Sequence, residues 1–448
     1  MLLNSLPLLG PGSEDSGRLV GIFRRVTADS GVSPLPLENP EADEPTPLIP
    51  LTAPAEGVPG VINNPKSLEV AAAAIAGGSG PVAIDAERAG GYRYGQNAYL
   101  VQIRRTGSGT HLIDPIGFAN LKPIADAIGA QEWILHAASQ DLPCLADLGL
   151  APQHLFDTEM AARILGRPKV GLAALAGSEL GLSLAKEHSA ADWSNRPLPK
   201  SWLTYAALDV ELLVELRDIL EADLERTGRL TWATEEFEYL RTAPAKAARH
   251  EPWRRTSGIH RIRNARGLAV VRELWQARDR LAADRDIAPG RVLADNAIAA
   301  AGSARPQSQP KLAELPEYRG KGTRRRLGYW WRAIECANQL PIEDLPELSA
   351  RSSGPPPPRS WSDRAPQAAA RLSAAKAFLA EVSEQSGIPT ENVLTPDTVR
   401  RLCWEPPTTS DEHPVASYLR QAGARNWQIE LTLTGLTGAL GATPPSEA

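Results

Sequence analysis

Cysteine is scarce in this chain of 448 residues: Cys144, Cys336 and Cys403 are the only ones, and they lie far apart. That excludes a disulfide framework and a zinc–thiolate site, and it points to a reducing compartment. The seven histidines form no metal-ligand spacing. Long apolar runs are also missing, since none approaches the roughly 18 residues of a membrane span. The opening MLLNSLPLLG has neither the basic region nor the apolar core of a secretory signal. A cytoplasmic protein with no membrane partner is the expectation. What is present, 42% apolar and 23% charged residues, excludes global disorder. The length, about three times a usual domain of roughly 150 residues, predicts several domains.

Positive charge is concentrated in one place. Residues 1–60 carry three Arg/Lys against eight Asp/Glu, with ten of the 39 prolines. Proline removes backbone donors and the acids repel one another, so this stretch reads as a disordered acidic lead-in. Residues 251–340 reverse the balance, with 18 Arg/Lys against nine Asp/Glu. One basic segment in a chain of net charge −5 predicts a localised polyanion contact, with a solvated helical surface as the alternative. Pro355 to Pro358 mark a stiff proline-rich linker over 341–365. The organisation is then a core over 61–250, a basic helical unit over 255–340, the linker, and a final helical unit over 366–442. The two helical units share a pattern. Leu274, Ala277, Leu281 and Ala282 reappear as Leu372, Ala375, Leu379 and Ala380, and Ile287, Val292 and Leu293 as Ile388, Val393 and Leu394.

Within the core, PVAIDAE (81–87), AYLVQIR (98–104) and THLID (110–114) read as three strands of an antiparallel meander. EWILHA (132–137) and HLFDT (154–158) alternate with helical patterns and predict strands joined by crossovers. From Lys169 to about Leu230 the pattern is helical throughout.

Acids occur in this core at suggestive positions. Asp85 and Glu87 end the first strand, and residues two apart share a strand face about 6–7 Å apart. Two carboxylates on a mostly apolar strand repel by on the order of 3 kcal/mol at about 5 Å, a penalty that a divalent cation removes. Asp141 follows a later strand, where the start of a helix already favours an acid. Tyr205 and Asp209, four apart in WLTYAALDVELL, project from one helix face. Each piece alone has an ordinary explanation: a solvated strand end, a helix terminus, a buried hydrogen bond.

Together, D-x-E, the later Asp and Y-x-x-x-D resemble the tyrosine-bearing branch of the DEDD exonuclease superfamily. The run from Ala191-Asp192-Trp193-Ser194-Asn195-Arg196-Pro197-Leu198-Pro199 to Trp202-Leu203-Thr204-Tyr205-Ala206-Ala207-Leu208-Asp209-Val210 sharpens the resemblance to the ribonuclease D family, as does Phe156-Asp157-Thr158. The tail resembles helicase-and-RNase-D C-terminal (HRDC) domains. The resemblance covers about 61–440 and implies an α/β, ribonuclease-H-like exonuclease core followed by two small all-α HRDC-like domains. It implies two-metal phosphodiester hydrolysis with Mg²⁺ or Mn²⁺. Asp85 would bridge both ions, Glu87 and Asp209 would complete one site, Asp141 would serve the other, and Tyr205 would hold the attacking water. Arg88 departs from the family pattern, in which many relatives carry an aromatic or apolar residue there.

Further substrate-binding candidates are His136 and Gln140, which flank Asp141 and have a core or helix-cap role as the alternative; Lys186 and Arg196, with a surface ion pair as the alternative; and Arg324, Arg325 and Arg326 ahead of Tyr329-Trp330-Trp331. Cations beside aromatics suit single strands, although rings at helical spacing are more often core. Asp157 reads as a helix cap. The function expected is trimming of RNA 3′ ends, tRNA precursors among them. A DNA 3′–5′ exonuclease in repair or proofreading, with single-stranded DNA as its partner, and a non-catalytic RNA-binding scaffold are the alternatives.

Overall fold

A computed structural model describes residues 47–184, 190–244, 250–348, 354–409 and 411–444. The first elements are β1 (Ile49–Leu51), β2 (Val61–Ile62) and helix α1 (Pro65–Ala76). Asn64 caps α1 by accepting from the Ser67 N–H, and Pro65 takes the first turn, where its missing donor costs nothing. Three strands then run antiparallel, as the sequence predicts: β3 (Ser79–Arg88), β4 (Ala98–Thr106) and β5 (Gly109–Ile113). Helix α2 (Lys122–Ile128), β6 (Glu132–Leu135), α3 (Leu142–Asp147) and β7 (His154–Asp157) follow. β6 pairs parallel to β3, and β7 parallel to β6. The six-stranded order is β2-β5-β4-β3-β6-β7.

This order places the carboxyl ends of β3, β6 and β7 along one edge, where ligands bind in open α/β sheets. Alternation along β3 divides its residues between two surroundings. Val82, Ile84 and Ala86 enter the main core with Ile103 and Val101, whereas Ala83 packs against Val210 and Leu213 of the later helices. Asp85 and Glu87 share the parity of Ala83, so they face the helical layer rather than the main core.

That layer contains α4 (Thr158–Ile164), α5 (Leu172–Leu180), α6 (Lys200–Glu211), α7 (Leu213–Arg226) and α8 (Leu230–Thr242). It is not helical throughout. Gly181, at φ 68°, ends α5, and strand β8 (Leu182–Leu184) pairs parallel with β1. The same pairing corrects the expectation that the lead-in stays disordered to residue 60, because Ile49–Leu51 are in a sheet and the Ala55 N–H donates to Glu211 at 3.1 Å. Residues 1–46 of that lead-in lie outside the described residues.

The basic unit comprises α9 (Ala265–Arg285), α10 (Pro289–Val292), α11 (Asp295–Ala304), α12 (Gln309–Glu314), α13 (Lys321–Arg325) and α14 (Leu327–Gln339) around its own core, which includes Leu274, Tyr318 and Trp330. Helices α9 and α11 meet at Gly267 and Gly302, where a Cβ on Gly267 would lie 2.6 Å from the Gly302 carbonyl oxygen. Only glycine allows that approach.

The final unit comprises α15 (Trp361–Arg364), α16 (Pro366–Ser386), α17 (Thr390–Val393), α18 (Pro396–Trp404), α19 (Glu412–Gln421) and α20 (Asn426–Leu440). The repeat is visible as the pairs α9/α16, α10/α17 and α11/α18. Leu274 and Leu372 are buried in both copies, but Ala282 is buried and Ala380 exposed. The proline-rich linker is a spacer only in part. Trp361 is fully buried, its ring lies 5.0 Å from that of Trp404, and its Nε1–H donates to the Pro356 carbonyl at 2.8 Å. Burying an indole favours docking of 354–365 onto the unit that follows.

Candidate active site

A cavity of about 420 Å³ opens at the carboxyl edge of β3, lined by Asp85, Glu87, Arg88, His136, Gln140, Asp141, Glu159, Tyr205 and Asp209 among others. Asp85 and Glu87 reach it from β3, where they sit opposite Gln102 and Leu100 of β4. Asp209 arrives from α6, one turn after Tyr205, and the Tyr205 hydroxyl hydrogen-bonds its carboxylate. Oxygens of Asp85, Glu87 and Asp209 lie within 4.8 Å of one another. Asp141 stands on the same wall, buried, and pairs with Arg88 at 3.4 Å.

Burial and mutual repulsion act on these acids together. Burial raises the Asp85 carboxyl above its usual range, against the Ala86 backbone N–H and Arg88, which lower it. Glu87 is pushed up to about 10, first by burial and then by the charges of Asp85, Asp209 and Asp141. Asp141 rises to about 8 through burial and Asp85, and Asp209 rises well above its normal value for the same two reasons. Carboxylates in this condition favour either protons or a cation. Oxygen donors at this spacing, with no thiolate or imidazole among the three that converge, suit a hard divalent ion such as Mg²⁺ or Mn²⁺.

Asp157 stabilises the approach to Asp141. Ala137 sits at φ 60°, in the left-handed region that costs an L-residue about 1–2 kcal/mol. The Asp157 carboxylate accepts from Ala137 N–H at 3.1 Å and Ala138 N–H at 2.8 Å, and it also caps α4 through Glu159 N–H and Met160 N–H. The cap is legible in Asp157-Thr158-Glu159, but the grip on the preceding loop is not. His136 lines the cavity with its Nδ1 2.9 Å from the Thr158 hydroxyl, which donates to the Leu135 carbonyl at 3.3 Å. Burial lowers the imidazole pKa to about 4, which keeps it neutral. Gln140 accepts from Arg88 through both its carbonyl and its Oε1.

The other candidate residues lie elsewhere. Lys186 is outside the described residues. Of the two readings of Arg196, phosphate contact or ion pair, the structure shows the ion pair, with Asp114. Arg196 donates to both oxygens of Asp114 and to the carbonyls of Trp193, Asn195 and Tyr99, which leaves no N–H for a substrate. Arg325 and Arg326 line a separate cavity of about 470 Å³ with Arg285, Arg332 and Tyr329, while Arg324 is exposed outside that lining. No acid among the described residues forms a salt bridge with these four cavity arginines. Trp330 is fully buried in the unit's core. The basic unit docks on the loop that follows β3: Ala288 N–H donates to the Tyr92 carbonyl at 2.9 Å, Arg291 to the Gly91 carbonyl at 2.7 Å, and the Tyr94 hydroxyl to Asp279 at 3.2 Å.

Comparison with known proteins agrees with this layout. Residues 60–225 match the family described as 3′-5′ exonuclease, residues 267–334 the HRDC domain, and residues 354–440 the 3′ to 5′ exonuclease C-terminal domain. Ribonuclease D of Nitrobacter hamburgensis is 31% identical over 296 residues, covering 63% of this chain and 72% of its own. Ribonuclease D of Granulibacter bethesdensis is 32% identical, covering 64% and 71%. A crystal structure of a protein from Bifidobacterium adolescentis superimposes with TM-score 0.81 at 37% identity, over 88% of this chain and 99% of that one. Escherichia coli RNase D, an exoribonuclease involved in structured RNA processing, shares the fold with TM-score 0.63 at 24% identity, over 86% and 99%. With an α/β ribonuclease-H-like core, an HRDC domain and a helical C-terminal region in that order, the chain belongs to the ribonuclease D family of metal-dependent 3′–5′ exoribonucleases.

Proposed function

We propose that the protein hydrolyses phosphodiesters one at a time from the 3′ ends of structured RNAs, tRNA precursors among them, in the cytoplasm, using two divalent ions, Mg²⁺ or Mn²⁺. The observation that carries this reading is the convergence of Asp85, Glu87 and Asp209 within 4.8 Å in a half-enclosed cavity. Asp85, Glu87 and Asp209 would hold one ion, and Asp85 with Asp141 the other. Such ions, when bound, supply a nucleophilic hydroxide at neutral pH and charge stabilisation for the departing 3′ oxygen.

The chain's own groups do the positioning. Burial first, then the charge of Asp209, raises the Tyr205 phenol above its ordinary range, so it stays protonated and orients water instead of removing its proton. The neutral His136 imidazole offers a hydrogen bond to a sugar hydroxyl at the cavity wall. On the basic unit, Arg285, Arg325, Arg326 and Arg332 take backbone phosphates upstream of the reacting end, where charge neutralisation gives affinity without sequence preference.

Digestion of matched RNA and DNA oligonucleotides tests this, with Mg²⁺ or Mn²⁺ and with chelator. Stepwise metal-dependent release of mononucleotides from RNA 3′ ends is expected. Equal or faster digestion of DNA would favour the DNA exonuclease, and binding without release from either polymer would favour a scaffold.

A further inference from the structure

Three of the four acids converge, and the fourth is set apart by an arginine. Asp85, Glu87 and Asp209 approach within 4.8 Å of one another. Asp141 instead faces Arg88, whose Nη2 lies 3.4 Å from its Oδ1. The guanidinium is also anchored beside it: Nη1 donates to the Gln140 carbonyl at 2.8 Å and Nη2 to the Gln140 Oε1 at 3.4 Å. The backbone contact is the shortest of the three, so the guanidinium has a seat beside Asp141 that does not depend on the carboxylate. Arg88 is the last residue of β3, and the β3–β4 register slips beside it, with Glu87 opposite Leu100 and Arg88 opposite Ala98, so Tyr99 is the extra residue on β4. Arg88 lines the same cavity as Asp85 and Glu87.

A guanidinium keeps its charge at any working pH, and this one is only partly exposed, at 26%, beside a carboxylate at 7%. We propose that Arg88 is a tethered cation that occupies the electrostatic place of the second metal ion at Asp141 and weakens that position for a divalent cation. The inference rests on the reading of these acids as metal ligands. It makes the two positions unequal: the three-acid position loads first, and the Asp141 position loads only at higher metal concentration, against the charge of Arg88. Arg88 is thus a positioning residue acting through Asp141.

The test is a calorimetric titration of the metal-free, full-length protein with Mn²⁺, with the free ion counted by electron paramagnetic resonance. Wild type should bind one ion tightly and a second more weakly. Arg88→Ala should tighten the weaker ion by on the order of tenfold and leave the tighter one within a factor of about two. Arg88→Lys, which retains the charge, should restore the weak second ion, and Asp141→Asn should abolish it. If Arg88→Ala does not fold, Arg88→Met keeps the apolar stem and takes its place. Superimposable isotherms for wild type and the uncharged variant, or a second ion that weakens, would overturn the proposal and leave Arg88 as a brace for Gln140. Should Asp85→Asn bind Mn²⁺ as wild type does, the metal-ligand reading itself fails, an outcome separate from the failure of Arg88.

Discussion

The acidic cavity of the core and the basic cavity of the first helical unit are opposite treatments of one problem, like charges gathered with fewer counter-ions than charges: Arg88 alone faces the four acids, at Asp141. In the first, Asp85, Glu87, Asp141 and Asp209 are packed into a buried pocket, where every one is held above its ordinary pKa. In the second, four arginines line an open depression with solvent to screen them. Glu236 shows how the same fold treats a buried charge that has a partner within the chain. Arg425 reaches both of its oxygens at 2.7 Å, and Trp427 donates to it at 2.9 Å. The two clusters differ in cost because desolvation, not proximity alone, makes like charge expensive. A buried cluster stores instability that a bound cation relieves, whereas an exposed one stores little and serves for attraction at a distance.

The strongest way to break this comparison is at the acidic cavity. Asp85→Asn or Asp209→Asn should lower turnover on RNA by a factor on the order of 10³ or more, while the metal-free protein melts at a higher temperature than wild type. Retained turnover, or a lower melting temperature, would mean that these acids are ordinary partners. Glu236→Ala should do the reverse, leaving the chemistry intact but costing about 3–5 kcal/mol in chemical denaturation, because Arg425 is left unpaired.

At the basic cavity, Arg325→Glu combined with Arg326→Glu should leave the melting temperature within about two degrees and flatten the salt dependence of RNA binding. Each lost phosphate contact removes about 0.7 from the logarithmic slope for a single strand. An unchanged slope would mean that the cavity does not touch RNA.

The pH dependence sharpens the contrast further. Glu87 holds its proton to about 10 in the metal-free fold against 4.5 ordinarily, so the folded state binds more protons than the unfolded chain between those values. Its contribution is therefore complete below about 4.5 and is lost as pH rises toward about 10. Melting temperatures of metal-free wild type should fall across that window more steeply than those of Glu87→Gln. Parallel curves would remove the coupling. The arginines should produce no such window.

The parts of the site that sequence makes legible are those set by local periodicity. Asp85 and Glu87 share a face because strands alternate, and Tyr205 and Asp209 because a helix repeats every four residues. Asp141 is harder to read, since its place depends on the left-handed turn at Ala137 and on four N–H groups converging on Asp157. Arg196 beside an expected active site reads as a phosphate contact or an ion pair until Asp114, 82 residues away, is seen to accept from it in two places. Ile49–Leu51 and Trp361 sit in proline-rich stretches whose composition resembles that of disordered chain. Their burial or pairing comes from partners that composition does not register, Leu182–Leu184 in one case and Trp404 in the other.

By itself the sequence determined the order of the layers, five of the six strands of the main sheet, the repeated helical framework and the types of residue able to hold a hard cation. Those follow from spacing and side-chain chemistry within a few turns or one strand. Only the tertiary structure decided which charges would be neutralised inside the chain and which left for a ligand. That choice depends on whether a distant group of opposite sign arrives within about 3 Å in a place where water is excluded, and no local pattern encodes that distance.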